Sequence, residues 1–184
     1  RLAGPSMTLT TFADPFQQSL ILAQTWLDQG ICDSVLVGGV EECGTVMEYI
    51  VSQKLRIADR QMEPVFSNGG PSVIPGEGAV FFLLGREPAG PYSVQLSTKP
   101  EPTPDLWIAD FECPELPVSA PAGCWSYLAG SMPISTAFSC ATGALMIQKK
   151  AVYSQTSLLE ANAGEPERIG CIGNHKSPIY LRRR

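Results

Sequence analysis

The residues with the clearest chemical meaning lie near the start of the sequence, in the run GPSMTLTTFADPF over residues 4–16. Residues 7–11 are short, Thr-rich and apolar, which predicts a strand. Asp14 followed by Pro15 is the pairing that opens a helix, an N-cap and then a first-turn proline. A strand running into a helix through so tight a junction is a geometry that exposes a nucleophile. The helix start offers backbone N–H groups and the positive end of its dipole, and both favour a thiolate.

Other reactive residue types are scattered. Six cysteines, Cys32, Cys43, Cys113, Cys124, Cys140 and Cys171, occur without a CxxC pair, and His175 is the single histidine. That set does not make a zinc site of ordinary spacing, and no metal or cofactor is expected. Most of the cysteines sit among apolar residues and read as reduced core side chains, which favours a cytoplasmic protein. Cys140 lies in a helix rich in small residues, where a packing role outweighs that of a displaced nucleophile. His175 falls in a predicted turn and reads as a surface residue rather than an acid–base group. Gly76 and Gly78 are not followed by the Lys-Ser/Thr of a phosphate loop. They predict a tight turn and close packing instead.

The bulk properties exclude several classes. At 184 residues the chain suits one domain, or one large and one partial lobe, with a real core. A net charge of -5 argues against a nucleic-acid surface, and the run Arg182-Arg183-Arg184 reads as a solvated end. No apolar run approaches the roughly 18–20 residues that cross a bilayer, and no signal-peptide pattern opens the sequence. The first residue is not Met, so the natural start is expected upstream.

The elements that must position these residues alternate. Phe16, Leu20, Ala23 and Leu27 recur at helical spacing, Ile21 widens their stripe, and Gly30 stands where a C-terminal cap belongs. Residues 34–40 (SVLVGGV) and 78–84 (GAVFFLL) are continuous apolar runs of strand length, predicting strands buried on both faces and central in a mixed sheet. A helix is expected over about 45–55. Residues 92–132 carry six prolines and predict loop with strands near 94–96 and 106–111. Helical character returns over 135–153, with Phe138, Ala141, Leu145 and Ala151 as its buried face. Residues 169–172 and 179–181 predict a closing hairpin around Gly173-Asn174-His175-Lys176. The grammar is that of a layered α/β domain.

Residues 4–16 resemble the nucleophile elbow of the β-ketoacyl synthases, roughly GPS-x-T-x-x-T-x-C-A-S. Gly4, Pro5, Ser6, Thr8 and Thr11 fall in register, the family's cysteine lands on Ala13, and Asp14-Pro15 replaces the small pair after it. Cys32-Asp33 with LVGGVEE (36–42) resembles the family's G-x-x-D-x-x-x-A-G-G-x-E segment. Pro64-Val65-Phe66 with PGEGAVFFLL (75–84) resembles its P-F-D … G-E-G-A … L-x-L segment. PISTAFSCATGALMIQKK (133–150) is similar to the helix after the family's second catalytic histidine, which puts that position at or near Cys140. The resemblance gives Glu41 and Glu42 a structural or interface role rather than that of paired catalytic carboxylates. The family's His-Gly-Thr-Gly-Thr motif occurs nowhere in the sequence.

What the resemblance implies is a thiolase-like layered α/β/α fold with a mixed central sheet and a truncated C-terminal half. Its parts would be an N-terminal synthase-like half over 1–88, a Pro-rich connection over 89–132 and a C-terminal remnant over 133–184. Condensation needs a thiolate and two histidines, or a His/Asn pair; Ala13 offers a methyl group, and one histidine cannot fill two positions. The expected function is that of a chain-length-factor-like subunit, a non-catalytic partner of an active ketosynthase in fatty acid, polyketide or aryl polyene synthesis. Acyl carrier protein is a further expected partner; nucleic acid and a membrane span are not expected. The expected contact region is residues 5–20, with the 7–11 strand as its edge. Alternatives are an altered decarboxylase or acyl transferase, and a stand-alone module binding acyl chains or acyl carrier protein.

Overall fold

Helix α1 (Pro15–Asp28) opens on the proline and closes on the glycine that its sequence predicts. Pro15 occupies the first turn, where its missing N–H costs nothing. At the other end Gly30 takes φ +67°, a conformation that a side chain would resist. Its N–H donates to the Leu27 carbonyl at 3.1 Å, and that of Ile31 donates to Trp26 at 2.9 Å. These two bonds form a Schellman closure of the helix. Phe16, Leu20, Ala23 and Leu27 are buried as the spacing predicts, but Ile21 is 50% exposed. The buried stripe is narrower than predicted because α1 packs chiefly on the single neighbouring strand β1 (Ser34–Glu41).

The structure is a computed structural model that describes residues 3–11, 14–54, 56–57, 72–88, 90, 93–109, 121–125, 129–130, 132–153, 164–173 and 178–184. After β1 come α2 (Thr45–Lys54), the short strands β2 (Arg56–Ile57) and β3 (Ser72–Val73), and β4 (Gly78–Gly85). Then follow β5 (Val94–Ser97), β6 (Leu106–Ala109), β7 (Ala122–Gly123), α3 (Ser135–Lys149), β8 (Arg168–Ile172) and β9 (Ile179–Arg183).

Among the described residues three sheets result. β1 pairs there with β4, antiparallel, from Ser34 opposite Gly85 to Glu41 opposite Gly78. β2 pairs with β3, parallel. The third sheet is mixed, in the order β5-β9-β8-β6-β7, with β8 at its centre, antiparallel to β9 and parallel to β6. One core cluster spans the layers. It joins Phe16 and Leu20 of α1, Val35 and Val37 of β1, Cys140 and Met146 of α3, and Ile108, Ile169 and Leu181 of the mixed sheet. The layered α/β architecture with a mixed sheet is therefore present.

Several expectations need correction. Residues 7–11 form no strand; among the described residues no strand pairs with them, and an isolated segment has nowhere to place ladder hydrogen bonds. β1 and β4 are not central or buried on both faces. Their inner residues Val35 and Val37 are buried, whereas Leu36, Val40, Phe81 and Leu83 are 49–66% exposed. Among the described residues the strands buried on both faces are β6, the two-residue β7 and, past its first residue, β8. Helix α3 turns a different face inward from the one expected. Leu145 is 48% exposed, while Ala137, Cys140, Gly143, Met146 and Ile147 are buried. The small residues Ala137, Cys140 and Gly143 let the helix approach the sheet closely, and Met146 and Ile147 follow them into the core. A Cβ on Gly143 would come within 2.9 Å of Leu181. α3 also stops at Lys149, where Lys150 takes a left-handed conformation. Arg182 and Arg183 are not a free tail but lie in β9, with Arg182 donating to the Gln95 side chain at 2.6 Å.

The mixed sheet carries a surface clasp where its neighbouring strands β6 and β8 begin. Asp105 accepts the backbone N–H groups of Glu167 and Arg168, each at 3.0 Å, and the Arg168 guanidinium at 2.8 Å. Partial burial alone would raise the Asp105 pKa; the Arg168 side chain and the two backbone donors outweigh it and hold the carboxyl below its usual value. A carboxyl depressed on folding contributes stability above its unfolded pKa and loses that contribution as pH falls through the folded one. Asp105→Asn should thus be less stable than the parent at pH 7, the gap closing below about pH 4 in urea melts. The pair is partly exposed, so the effect is modest. In the same assay Met146→Ala should cost about 2–5 kcal/mol, and Leu145→Ala no more than about 0.5 kcal/mol.

Candidate functional site

The starts of α1 and α3 meet the end of β8. Asp14 is the N-cap of α1, with φ 45° and ψ 49°, yet its carboxylate makes no capping bond to the helix. An Asp tolerates this left-handed conformation better than most residues. At the start of α3 the Ser135 hydroxyl donates to the Met132 carbonyl at 2.7 Å and accepts the Met132 N–H at 2.9 Å. That exchange closes the turn before the helix and leaves Thr136 facing β8. Gly173, just beyond β8, completes the junction. A Cβ built there would lie 2.5 Å from Thr136 Oγ1 and 3.8 Å from Asp14 Oδ1. Glycine is required by that approach.

Two helix N-termini thus converge on one place, each bringing a positive dipole end, although in α3 the Ser135 and Ala137 N–H groups already donate to the Met132 and Ile134 carbonyls, each at 2.9 Å. Such a junction can stabilise a thiolate, a carboxylate or a developing oxyanion. Sequence reasoning located the α1 end of it through the elbow pattern. It missed Thr136 and Gly173, whose only signal was the Gly-rich turn after β8.

The remaining candidates are dispersed. Ala13 and His175 lie outside the described residues, as does Cys113. Cys140 is fully buried one turn into α3, against Cys171 of β8. Burial first, and then the neighbouring Cys171 thiol, push its pKa well above the usual thiol range. A thiol in that state packs; it does not present a thiolate to solvent. Glu41 ends β1 and is half-buried, with burial raising its pKa, while Glu42 beside it is exposed. Gly76 lies directly against the backbone of Ala129 and Gly130, and a Cβ on Gly78 would lie 2.9 Å from the Phe138 ring. These are the close contacts expected of the two glycines. Among the described residues no group of three His, Cys, Asp or Glu side chains could hold a metal ion, and no helix is long and apolar enough to cross a membrane.

The burial pattern makes a direct statement about thiol reactivity. In native protein iodoacetamide should modify the partly exposed Cys32 and Cys43 and leave Cys140 and Cys171 unlabelled until denaturant is added, as read by peptide mass spectrometry. Rapid native alkylation of Cys140 would contradict the packing described.

Comparison with known proteins agrees with this layout. Residues 1–89 match the family described as beta-ketoacyl synthase, N-terminal domain. No curated protein matches the sequence. Among solved structures, the oxazolomycin ketosynthase domain OzmH KS7 of Streptomyces albus JA3453 superposes with a TM-score of 0.65 at 16% identity. That match covers 98% of this chain and 47% of that one. A beta-ketoacyl synthase from Burkholderia phymatum STM815 gives 0.59 at 13% identity, over 92% and 60% of the two chains. A type II PKS acyl-carrier protein in complex with its ketosynthase, bound to the hexaketide, gives 0.52 at 13%, over 92% and 57%. The chain thus spans about half the length of these ketosynthases. Its fold is thiolase-like, as in these ketosynthases, and its first 89 residues match the N-terminal domain of the β-ketoacyl synthases.

Proposed function

We propose that the chain is a non-catalytic, chain-length-factor-like subunit that pairs with a catalytically complete ketosynthase in fatty acid, polyketide or aryl polyene synthesis. The observation that carries this reading is Ala13, the residue in register with the family's nucleophile in an otherwise recognisable elbow. The position offers a methyl group, so an acyl chain has no covalent anchor there. The buried Cys140 offers no substitute. In this reading the divisions at 88 and 132 separate a synthase-like half, a Pro-rich connection and a C-terminal remnant, with β5 and β6 of the connection joining β8 and β9 in one sheet.

Two surfaces support a partner. The segment over residues 5–11 is largely exposed, with Met7 61% exposed. A strand from a partner could align with the exposed backbone of residues 5–10, with which no strand pairs among the described residues. The outward face of β1 and β4 adds Leu36, Val40, Phe81 and Leu83, an apolar patch of the kind that marks interaction sites. A permanent interface of this type removes more than about 2,000 Å² of surface. One solved neighbour is an acyl-carrier protein complex of a ketosynthase, which supports acyl carrier protein as the substrate carrier served by the assembled pair.

Two measurements test the proposal. Incubated with an acyl thioester, the purified chain should take up no acyl group by intact mass, and it should not condense malonyl units. Ala13→Cys should not restore condensation, since the His-Gly-Thr-Gly-Thr motif is still lacking from this sequence. Stoichiometric acylation mapped to Cys140 would favour an altered enzyme instead. Co-expressed with its cognate ketosynthase, the chain should elute as a heterodimer by size exclusion with light scattering, and Thr10→Lys or Leu83→Lys should weaken that assembly. A monomer indifferent to the ketosynthase would overturn the pairing.

A further inference from the structure

Helix α3 runs along strand β8, and two contacts fix their register. Near the middle of the helix, a Cβ on Gly143 would lie 3.2 Å from the Ile169 side chain. At the helix start, a Cβ on Gly173 would lie 2.5 Å from the Thr136 hydroxyl. From Gly143 back to Thr136 is about 10 Å of helix, and from Ile169 on to Gly173 is about 13 Å of strand. Cys140 stands midway on the helix, on the face of Gly143, and Cys171 midway on the strand, on the face of Ile169. The two contacts therefore place these cysteines opposite each other.

Both are fully buried in one core cluster with Ile108, Ile169 and Leu181, and their thiols are hydrogen-bonded to each other. Besides Cys140, the face of α3 that meets the sheet carries Ala137 and Gly143, so the two backbones come close. A disulfide needs Cα atoms no more than about 7 Å apart, an approach that bulky packing would prevent. The pairing is selective. Cys124, the third buried cysteine among the described residues, packs in a separate cluster with Val51 and Val73. Cys32 and Cys43 are partly exposed. Neither Cys140 nor Cys171 belongs to the elbow or to the contacts at Gly173.

We propose that Cys140 and Cys171 form a redox pair, which hydrogen peroxide closes to a disulfide that pins α3 to β8. One sulfur, having lost its proton, attacks a peroxide oxygen. The O–O bond breaks, leaving a sulfenic acid and a hydroxide that takes up the lost proton as water. The second sulfur then attacks the sulfenic sulfur and expels its hydroxide, which leaves as water with the second thiol's proton. Two thiols and one peroxide thus become one disulfide and two waters. Complete burial makes the first step slow, so the reaction runs through molecules in which α3 has lifted locally from the sheet. The bond records that opening and prevents the next. Thr136 is one turn from Cys140, and Gly173 is two residues past Cys171, so the lock sits beside the junction of the two helix starts. It does not depend on the reading of the chain as a partner subunit.

The test begins with the whole chain, its exposed thiols blocked by iodoacetamide in native buffer. It is then treated with hydrogen peroxide, quenched, denatured and alkylated with N-ethylmaleimide. Peptide mass spectrometry should find Cys140 and Cys171 protected together, in one cross-linked peptide pair that dithiothreitol releases. Hydrogen exchange of the backbone amides over residues 135–142 should be at least about threefold slower in the oxidised chain than in the reduced one. Cys140→Ala keeps a small residue on the packed face, and peroxide should then give neither a cross-link to Cys171 nor any change in exchange. Cys171→Ala is the second control, and the parent chain alone decides the matter should both variants unfold. Three results would overturn the proposal. They are full alkylation of both cysteines after peroxide, oxidation of either to a sulfinic acid without the cross-link, and equal exchange at the start of α3 in the two redox forms.

Discussion

Gly143 lies where α3 passes over β6, β8 and β9, and an added Cβ there would press within 3.3 Å of Ile108, Ile169 and Leu181 together. The rest of the fold depends on that approach. It brings Cys140 against Cys171, sets Met146 and Ile147 into the core, and puts the start of α3 beside the end of β8. On its other side the same helix meets β4, through Phe138 against Gly78. A bulky residue at 143 would lift the helix from the mixed sheet and separate Thr136 from Gly173. Packing density in the core thereby controls the geometry of the site.

The legible parts of the sequence were those in which local and tertiary signals agree. Pro15, the Phe16-Leu20-Ala23-Leu27 stripe and Gly30 each marked α1, and the structure uses all of them. The closing hairpin of β8 and β9 was equally plain. Continuous apolar runs were more ambiguous. LWIA in β6 and SVLVGGV in β1 look alike as strings, but only β6 has both faces covered. Apolar character states what a strand can bury, and topology decides what it does bury. In α3 the large residues Phe138 and Leu145 suggested the inner face, but the face that packs carries Ala137, Cys140 and Gly143, which allow close approach, together with Met146 and Ile147.

The candidate site divided in the same way. The elbow pattern named a helix start from local sequence alone. The convergence at Gly173 joins residues far apart in the chain, and no spacing rule connects Asp14 with Thr136. Asp14 illustrates the gap. It was expected to cap α1 through its side chain, and it instead takes a left-handed conformation with its carboxylate turned toward Gly173 and Thr136. A residue read as a local start signal is used for a tertiary contact.

The central place of β8 has a consequence for how the chain acquires its shape. β6 finds its parallel neighbour β8 only after the whole of α3 has been threaded between them, and β5 waits for β9. Closing such long loops carries an entropic penalty before any contact compensates for it, so the mixed sheet assembles late and slowly. During synthesis Leu106, Trp107 and Ile108 emerge from the ribosome well before the strand that will shield them. The interval between β6 and β8 is therefore the window in which the nascent chain is most prone to mispair, and the one in which a chaperone would have something to hold.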